Sequence, residues 1–368
     1  MAEMGPLKAN SLPAQNSPAG GKVWMSIAGM VLFLCFLWLP MIDSLWPLLP
    51  SPPNTEKRAL APAPDLRWEA LRDFPKHFEL YFNDHFGGRR WLVRMHHAIH
   101  VEYLGVSPQK EVLVGRDGWL FFTPDKSLAD HYGLIRYSPK ELETIRRIIQ
   151  KETRWLKERG IPFLILVGPD KQSIYPEYWP TASAANKPLT RLDQILAYLG
   201  PEEKENFIDV RRELVEAKKN GRVYSRTDTH WTSYGAFIAY RKVLEALSGS
   251  IPAIQPFSFS KFSLADRSAP GNGDLAAMLS LTGILSDREI TMVPKHPLIP
   301  GHKKIPKAII FHDSFIEQLK PFLEPHFEHI IYFPRGKTNL DYGQIDREHP
   351  NFVLLELVER QSPALVHE

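Results

Sequence analysis

The strongest constraint on the fold is an apolar, strand-type run that stops abruptly at a small polar group. Residues 308–311 form the run, and His312, Asp313 and Ser314 follow it directly. A helix-like segment, residues 316–323, comes next. Ligands bind at the carboxyl ends of strands in an open α/β sheet, so this turn is predicted to belong to a functional site.

Strand-type and helix-type segments alternate along most of the chain. The predicted strands are residues 161–167, 207–210, 307–311, 329–333 and 352–357. The predicted helices include residues 138–159, 195–199 and 236–247, the first with Ser138 as cap and Pro139 at its first position. Residues 112–122 read as a hairpin with an Asp117-Gly118 turn. This alternation predicts the α/β class, with a mainly parallel sheet covered on both faces.

A second constraint is the uncharged, apolar run at residues 23–42. About twenty such residues match the thickness of a bilayer core, so residues 22–42 are predicted to be a transmembrane anchor. Cleavage as a signal peptide is the main alternative, but the small-x-small site at residues 59–61 lies far downstream. Lys8 and Lys22 before the run, and Asp43 after it, favour an amino terminus inside the cell.

The segments around the anchor complete the predicted domain organisation. Residues 1–21 read as a disordered cytoplasmic tail, and residues 43–64 as a stiff proline-rich linker. Residues 65–368 are predicted to form the catalytic domain. Its first part, to residue 100, has helical periodicity, with apolar residues spaced for one face at Trp68, Leu71, Phe74, Phe78, Leu80 and Phe82.

Composition excludes several functional classes. The 45 basic and 42 acidic residues nearly cancel, which gives no electrostatic case for binding nucleic acid. Cys35 is the single cysteine, so the chain has no disulfide framework and no cysteine metal site. His96, His97 and His100 lie among arginines without a carboxylate cluster and read as a solvated helix face. We predict neither a metal nor a cofactor.

Ser314 becomes a useful nucleophile only beside a base, and His230 is the best candidate. In an extended segment, Asp228 and His230 would point to the same side. A carboxylate on one ring nitrogen fixes the tautomer and leaves the other nitrogen as a base. Thr232 or Ser233 should cap the following helix, whose positive end disfavours a protonated imidazole. Amides at a helix start after Ser314 could receive an oxyanion.

The residues alone leave simpler interpretations open. Ser314 could be only a helix N-cap after a strand, because caps are far commoner than nucleophiles. Asp228 and His230 could be a capped helix start with a surface histidine.

Five segments in order carry a resemblance to a known family. The chain resembles the alginate acetylation proteins of the SGNH-hydrolase-like AlgX/AlgJ family over roughly residues 70 to 360. The five segments are residues 115–122, 169–177, 228–232, 312–315 and 351–360.

The resemblance implies a three-layer, circularly permuted SGNH-like fold, in which the Asp-x-His element precedes the serine. It also implies a periplasmic enzyme that moves acetyl groups onto an exopolysaccharide and receives them through a membrane-bound O-acyltransferase in the inner membrane. Carried onto this chain, it makes Ser314 the nucleophile, His230 the base and acid, and Asp228 the residue that orients the imidazole. The chain departs from the family at His312, where glycine is usual, and this bulkier side chain is expected to narrow the site or to add a second imidazole to it.

Other residues of the shared segments receive no chemical role. Arg116, Lys171 and Glu177 are interpreted as structural, and Gly336 and Arg360 are positional candidates for a second oxyanion donor. Three functions compete: a polysaccharide O-acetyltransferase, a carbohydrate acetylesterase with the same triad, and a non-catalytic scaffold of a polysaccharide export complex. The intact set of Asp228, His230 and Ser314 argues against the scaffold.

Overall fold

A computed structural model describes residues 19–52, 59–181, 189–335 and 340–366. It divides into two compact units, Met1–Val93 and Arg94–Glu368. The predicted tail lies almost wholly outside the described residues, and so does the middle of the predicted linker. The domain bounds drawn from the sequence stay a prediction.

The first unit is helical. Helix α1 (Ala19–Leu45) contains one segment, Val23–Leu45, that is long and apolar enough to cross a membrane, with a mean hydropathy of 2.2. By length and composition it fits a membrane anchor or a signal sequence, and it extends three residues past the predicted end of the span. Helix α2 (Phe74–His85) and the start of α3 (Arg89–Ala98) follow, as the periodicity predicted.

A five-stranded, fully parallel sheet forms the centre of the second unit. Its strands are β3 (Phe163–Gly168), β4 (Phe207–Asp209), β7 (Ile305–His312), β8 (Phe327–Pro334) and β9 (Phe352–Val358). They lie in the order β4-β3-β9-β7-β8, so the last strand of the chain occupies the middle. All five strands were predicted from their apolar runs.

Two antiparallel hairpins lie outside this sheet. The first pairs β1 (Val112–Val114) with β2 (Leu120–Phe122), as predicted from the Asp-Gly turn. The second pairs β5 (Phe262–Pro270) with β6 (Ser286–Pro294), and it was not anticipated. Its strands carry charged residues, so they lack the continuous apolar runs that revealed the central strands.

Side-chain alternation along the central strands produces two cores. In β7, Ala308 and Ile310 enter one core, whereas Ile309 and Phe311 enter the other. Helices α9 (Arg211–Ala217), α10 (Ser233–Leu247) and α12 (Lys320–Leu323) contribute buried residues to the first core. Helices α5 (Pro139–Lys157), α7 (Arg191–Tyr198) and α13 (Tyr342–Glu348) contribute to the second. The unit therefore has three layers, with the sheet between helices.

The remaining element bounds complete the second unit. Its helices are α4 (Ser127–His131), α5 (Pro139–Lys157), α6 (Lys171–Ile174), α7 (Arg191–Tyr198), α8 (Pro201–Glu205), α9 (Arg211–Ala217), α10 (Ser233–Leu247), α11 (Asp274–Met278), α12 (Lys320–Leu323) and α13 (Tyr342–Glu348). The predicted start of α5 is confirmed as a capping box, in which Ser138 and Glu141 each accept a backbone N–H of the other. Thr232 caps α10 by accepting from Gly235 N.

Candidate active site

Three adjacent strands end at the same edge of the sheet and carry polar turns. Strands β3, β9 and β7 are neighbours, and each continues into charged or polar residues beyond its carboxyl end. Ser314 lies in the turn after β7, Asp170 follows β3, and Glu359 follows β9. This is the edge at which open parallel sheets bind ligands.

Asp228, His230 and Ser314 form one unbroken chain of hydrogen bonds. Asp228 Oδ1 lies 2.6 Å from His230 Nδ1, and His230 Nε2 lies 2.8 Å from Ser314 Oγ. With Nδ1–H donating to the carboxylate, Nε2 is left with the lone pair that can accept the serine proton. The structure thus brings together all three residues that the sequence selected, although His230 and Ser314 lie 84 positions apart.

The local reason for the Asp228–His230 contact differs from the extended segment that we expected. Asp228 Oδ1 also accepts the backbone N–H of His230 at 2.8 Å, which makes this stretch an Asx turn. An antiparallel bridge between Tyr224 and Trp231 closes the loop around it. The carboxylate is therefore fixed by backbone and imidazole together.

The turn that presents Ser314 is capped by its neighbour. Asp313 Oδ1 accepts Phe315 N at 2.9 Å, so Asp313 is the N-cap of the 3-10 helix Ser314–Gln318. The interpretation of Ser314 as an N-cap is therefore wrong for this turn. The predicted helix over residues 316–323 is also wrong in kind, because a 3-10 turn is followed by only four α-helical residues, Lys320–Leu323.

Asp313 is itself held by β9. Its Oδ2 accepts Val358 N at 2.7 Å, and its own N–H donates to Glu356 Oε2 at 3.1 Å. Glu356 is fully buried. Burial raises the pKa of Glu356 well above its usual range, and the nearby charge of Asp313 adds to this effect. The carboxyl group beneath the serine turn therefore favours its neutral form.

Asp274, which the sequence did not single out, braces the histidine loop. Its carboxylate accepts Thr229 N at 2.8 Å and Thr229 Oγ1 at 2.6 Å, and its N–H donates to Asp228 Oδ2 at 3.1 Å. A carboxylate oxygen of Asp274 also lies 3.9 Å from His230 Nδ1. Asp274 starts a short helix that follows the unpredicted strand β5, so no local pattern pointed to it.

Charge at the loop determines the protonation of the histidine. Burial would lower the pKa of His230, but the hydrogen bond and charge of Asp228, with the charge of Asp274, raise it above its ordinary value. Burial would raise the pKa of Asp228, yet its hydrogen bonds to His230 and its interaction with the imidazole lower it to about 2. The expected effect of the α10 dipole, which disfavours the imidazolium, is thus outweighed by carboxylates.

Trp231 connects the histidine loop to the serine turn. Its indole Nε1–H donates to Phe315 O at 2.9 Å, and its ring packs edge-on against Phe315 with centroids 5.1 Å apart. The Phe315 ring also lies 5.0 Å from the His230 ring. A Cβ at Gly168 would press against the Phe315 ring, so glycine leaves room for this packing.

Lys171, in the segment after β3, is buried below the same loop. Its Nζ donates to three backbone carbonyls, those of Leu120, Ser225 and Arg226, at 2.7, 2.9 and 3.1 Å. Burial lowers the pKa of Lys171 to about 7. Lys171 therefore links the β1–β2 hairpin to the residues just before Asp228.

Three other residues named in the sequence analysis form ion pairs or hydrogen bonds within the fold. Glu177 pairs with Lys218 at 2.8 Å, and Arg116 reaches Pro180 O at 3.4 Å. Arg360, a candidate oxyanion donor, pairs with Asp170 at 2.7 Å. The other candidate, Gly336, lies outside the described residues.

Two histidines depart from expectation. The His312 ring turns back, and its Nδ1 donates to Asp313 O at 2.7 Å, so it adds no second imidazole to the cavity lining. His97 is buried and its Nδ1 donates to Leu279 O at 2.7 Å, so the predicted solvated face is wrong at this position.

A cavity of about 460 Å³ opens beside Ser314 and His230. Most of the residues that line it have polar side chains, including Thr227, Asn272, Arg288 and Gln318. Its volume is that of a small-ligand site. A larger open cleft of about 960 Å³ lies elsewhere in the unit, around Arg154 and Glu203, and its lining includes neither Ser314 nor His230.

Among the described residues, Asp228, His230 and Asp274 form the group that could hold a metal ion, with one ligand atom each within 4.8 Å of the others. The hydrogen bonds already given account for this proximity. The same Nδ1 atom cannot bind an ion and donate to Asp228 at once.

Fold and site together define a parallel α/β protein of SGNH-hydrolase type with a Ser–His–Asp chain at the carboxyl edge of the sheet. A family model described as the SGNH hydrolase-like domain of acetyltransferase AlgX matches residues 112–296, half of the chain. The chain belongs to this family. The matched region contains Asp228 and His230, and Ser314 lies beyond its end.

Curated relatives agree with this assignment. A probable alginate O-acetylase AlgJ of Pseudomonas fluorescens is 31% identical over 197 residues, which are 51% of this chain and 45% of that protein. The corresponding protein of Pseudomonas putida is 29% identical over 180 residues, 48% of this chain and 44% of that one. The aligned part thus spans less than half the length of these relatives.

The chain is also similar to a solved structure. The O-acetyltransferase domain of Pseudomonas putida AlgJ is 22% identical, with a TM-score of 0.46. The match covers 68% of this chain and 92% of that domain.

Proposed function

We propose that the protein is a polysaccharide O-acetyltransferase that carries the acetyl group on Ser314. The observation that carries this proposal is the chain of hydrogen bonds from Asp228 Oδ1 through both nitrogens of His230 to Ser314 Oγ. The family assignment and the names of the relatives support acetyl as the transferred group and a polysaccharide as the acceptor.

In the first half-reaction, His230 Nε2 takes the hydroxyl proton of Ser314 while Oγ attacks the acetyl carbonyl carbon. Collapse of the tetrahedral intermediate breaks the bond to the donor's leaving atom, to which His230 returns the proton. Asp228 holds the ring and stabilises the imidazolium that forms between these steps.

In the second half-reaction, a sugar hydroxyl gives its proton to His230 and attacks the acetyl-serine. The ester bond to Oγ breaks, and Ser314 leaves with that proton, which regenerates the free enzyme. The polar cavity beside Ser314 offers hydroxyl, amide and guanidinium groups for a sugar. Phe315 N is already bound to Asp313, so the oxyanion must use other donors than this amide.

The proposed location follows from the amino-terminal helix. We assign α1 as a single-pass anchor in the inner membrane, with the second unit in the periplasm and a membrane-bound O-acyltransferase as the source of acetyl groups. Support comes from the apolar span, from Lys8 and Lys22 before it and from Asp43 near its end.

The test uses the full chain and p-nitrophenyl acetate, first without a sugar. Mass spectrometry should find the acetyl group on Ser314, and Ser314→Ala should abolish both the adduct and ester hydrolysis. Ser260→Ala, an exposed serine bonded to Ser258, is the matched control and should leave both unchanged. Persistence of full activity in Ser314→Ala would overturn the proposal.

Adding oligosaccharides separates the competing functions. A transferase should discharge the adduct faster than water does and yield an acetylated sugar. If acetate is the product with every sugar tested, the protein is a carbohydrate acetylesterase. If the unaltered chain forms no adduct and hydrolyses no ester, the scaffold interpretation is the better one.

A further inference from the structure

Helix α2 carries an aromatic ladder on its surface. Phe74, Phe78 and Phe82 are spaced four residues apart, and Phe86 continues the series, with successive ring centroids 5.8, 6.1 and 5.9 Å apart. The side chains of Phe78 and Phe82 are 47% and 51% exposed. No residue of α2 is buried. The ladder is therefore an apolar face without a covering element in the described part of the unit.

The helix is amphipathic. At 100° per residue, Lys76 and Asn83 lie opposite the ladder beside Leu80, and all three are exposed. Moving apolar surface out of water is favourable, so the half-exposed rings of Phe78 and Phe82 would be stabilised by contact with an apolar surface. Such a face is typical of a helix that lies in the interface of a membrane.

The carboxyl end of α2 is joined to the carboxyl end of α1. Gly87 N, in the turn after α2, donates to Ser44 Oγ at 2.9 Å. A Cβ at Gly87 would overlap the Pro40 carbonyl and the Ser44 amide, so only glycine allows this approach. Asp43 Oδ1 accepts Leu48 N and Leu49 N at 2.7 Å each, which folds the chain back at the same corner.

We propose that α2 lies in the interfacial layer of the bilayer that α1 crosses, with its phenylalanine ladder among the lipid chains. The inference rests on the proposed role of α1 as a membrane span, whose end must lie near the membrane boundary. The Gly87–Ser44 contact then fixes the end of α2 at that same level. Aromatic side chains are enriched at this depth of a membrane.

The exposed residues next to the corner agree with this placement. Leu45, Trp46 and Leu48 continue the apolar surface directly from α1. Trp68, on the approach to α2, is 83% exposed. The bilayer that α1 is proposed to cross is therefore the apolar phase that we assign to the ladder, because the exposed apolar surface runs from α1 towards it.

Photo-crosslinking of the full chain in vesicles of phosphatidylethanolamine and phosphatidylglycerol tests this placement. Phe78→p-benzoylphenylalanine should form lipid adducts several-fold more often than Asn83→p-benzoylphenylalanine, the matched control on the opposite face. Phe82→p-benzoylphenylalanine repeats the measurement if the first variant folds poorly. Gly87→Val should reduce the lipid adducts at position 78 because it breaks the corner.

Three outcomes would overturn the proposal: equal lipid labelling on both faces, no lipid labelling at positions 78 and 82, or adducts there to a second copy of the chain. Mass spectrometry of the adducts distinguishes them. The readout requires no acetyl transfer, so the proposed enzymatic function can fail without affecting it.

Discussion

Two carboxylates lie near Nδ1 of the His230 ring, and the hydroxyl group of Ser314 is bonded to Nε2 on the other side. Asp228 contacts Nδ1 directly, and Asp274 lies 3.9 Å from the same atom. Both negative charges favour the imidazolium. In the proposed mechanism, this arrangement stabilises the imidazolium that forms within each half-reaction, and it raises the pKa of the His230 imidazole above its ordinary value.

The first prediction concerns this ionisation. The value of kcat/KM for an acetyl ester should rise with pH through an apparent pKa above 6.5, because only neutral His230 can accept the serine proton. Asp274→Asn should move the apparent pKa downward by removing one negative charge. Asp228→Asn should move it downward and also lower the rate, because the ring loses its orienting carboxylate.

Asp346→Asn is the matched control, since Asp346 pairs with Arg159 on the surface. Its pH profile should match that of the unaltered chain. An Asp274→Asn profile shifted upward would contradict this account of the histidine.

The second prediction concerns Lys171. Lys171→Met should lower the free energy of unfolding by about 2–4 kcal/mol, because buried backbone carbonyls lose their donor. Urea unfolding measures the change. Lys242→Met, which breaks only two long surface contacts with Glu213 and Glu245, should stay within about 0.5 kcal/mol. Equal effects of the two substitutions would refute the structural role of Lys171.

The sequence identified the residues of the Ser–His–Asp hydrogen-bond chain better than the residues that hold them. Asp228, His230 and Ser314 stand in short local patterns, so their chemistry could be read from neighbours. Asp274 follows a strand that was not predicted. Asp313 received no role of its own in the sequence analysis, although it is the residue that caps the serine turn. Such supporting contacts join segments that are far apart in the sequence, so a local sequence pattern does not predict them.

Among the elements, β9 has a double role as a core strand and as the support of the serine turn. Glu356 is a carboxyl group in the middle of that strand, within a wholly buried segment. The Asp313 amide gives it a hydrogen-bond donor. A carboxyl group in this position must remain neutral or destabilise the fold.

The third prediction follows from that burial. The pKa of Glu356 is higher in the folded protein than in the unfolded chain. The stability that neutral Glu356 contributes is therefore lost as the pH rises above 4.5, the ordinary pKa of a glutamate. Glu356→Gln should therefore become more stable relative to the unaltered chain, by up to about 1.4 kcal/mol per pH unit above that point.

Unfolding in urea between pH 5 and 8 measures this trend. Glu328→Gln, exposed on β8, is the control and should show no comparable trend. A Glu356→Gln difference that stays constant over this range would show that the carboxyl group is already ionised in the folded protein.

The strands with two buried faces were predictable, whereas strands β5 and β6 were not. The five central strands are apolar runs because helices cover both faces of the sheet. Strands β5 and β6 contain charged residues such as Asp266 and Arg288, which pair across the hairpin at 2.8 Å. Their pattern resembled that of a loop, and the resemblance to the AlgX/AlgJ family did not supply the missing hairpin.

At the scale of the whole molecule, the fourth prediction concerns the amino-terminal helix. The full chain should stay in membranes after carbonate extraction, and its amino terminus should remain upstream of Val23, because the apolar segment continues to Leu45 without a nearby small-residue cleavage site. Amino-terminal sequencing of the membrane fraction measures this. A start near residue 62 would identify the helix as a cleaved signal.

The central position of β9 determines when the site can be complete. During synthesis, a chain emerges amino end first, so the histidine loop and the serine turn are both released before β9. Yet Glu356 and Val358 of β9 supply the contacts that hold Asp313. Until β9 is inserted between β3 and β7, the turn that carries Ser314 lacks these contacts, so a partly synthesised chain cannot hold the geometry of the site.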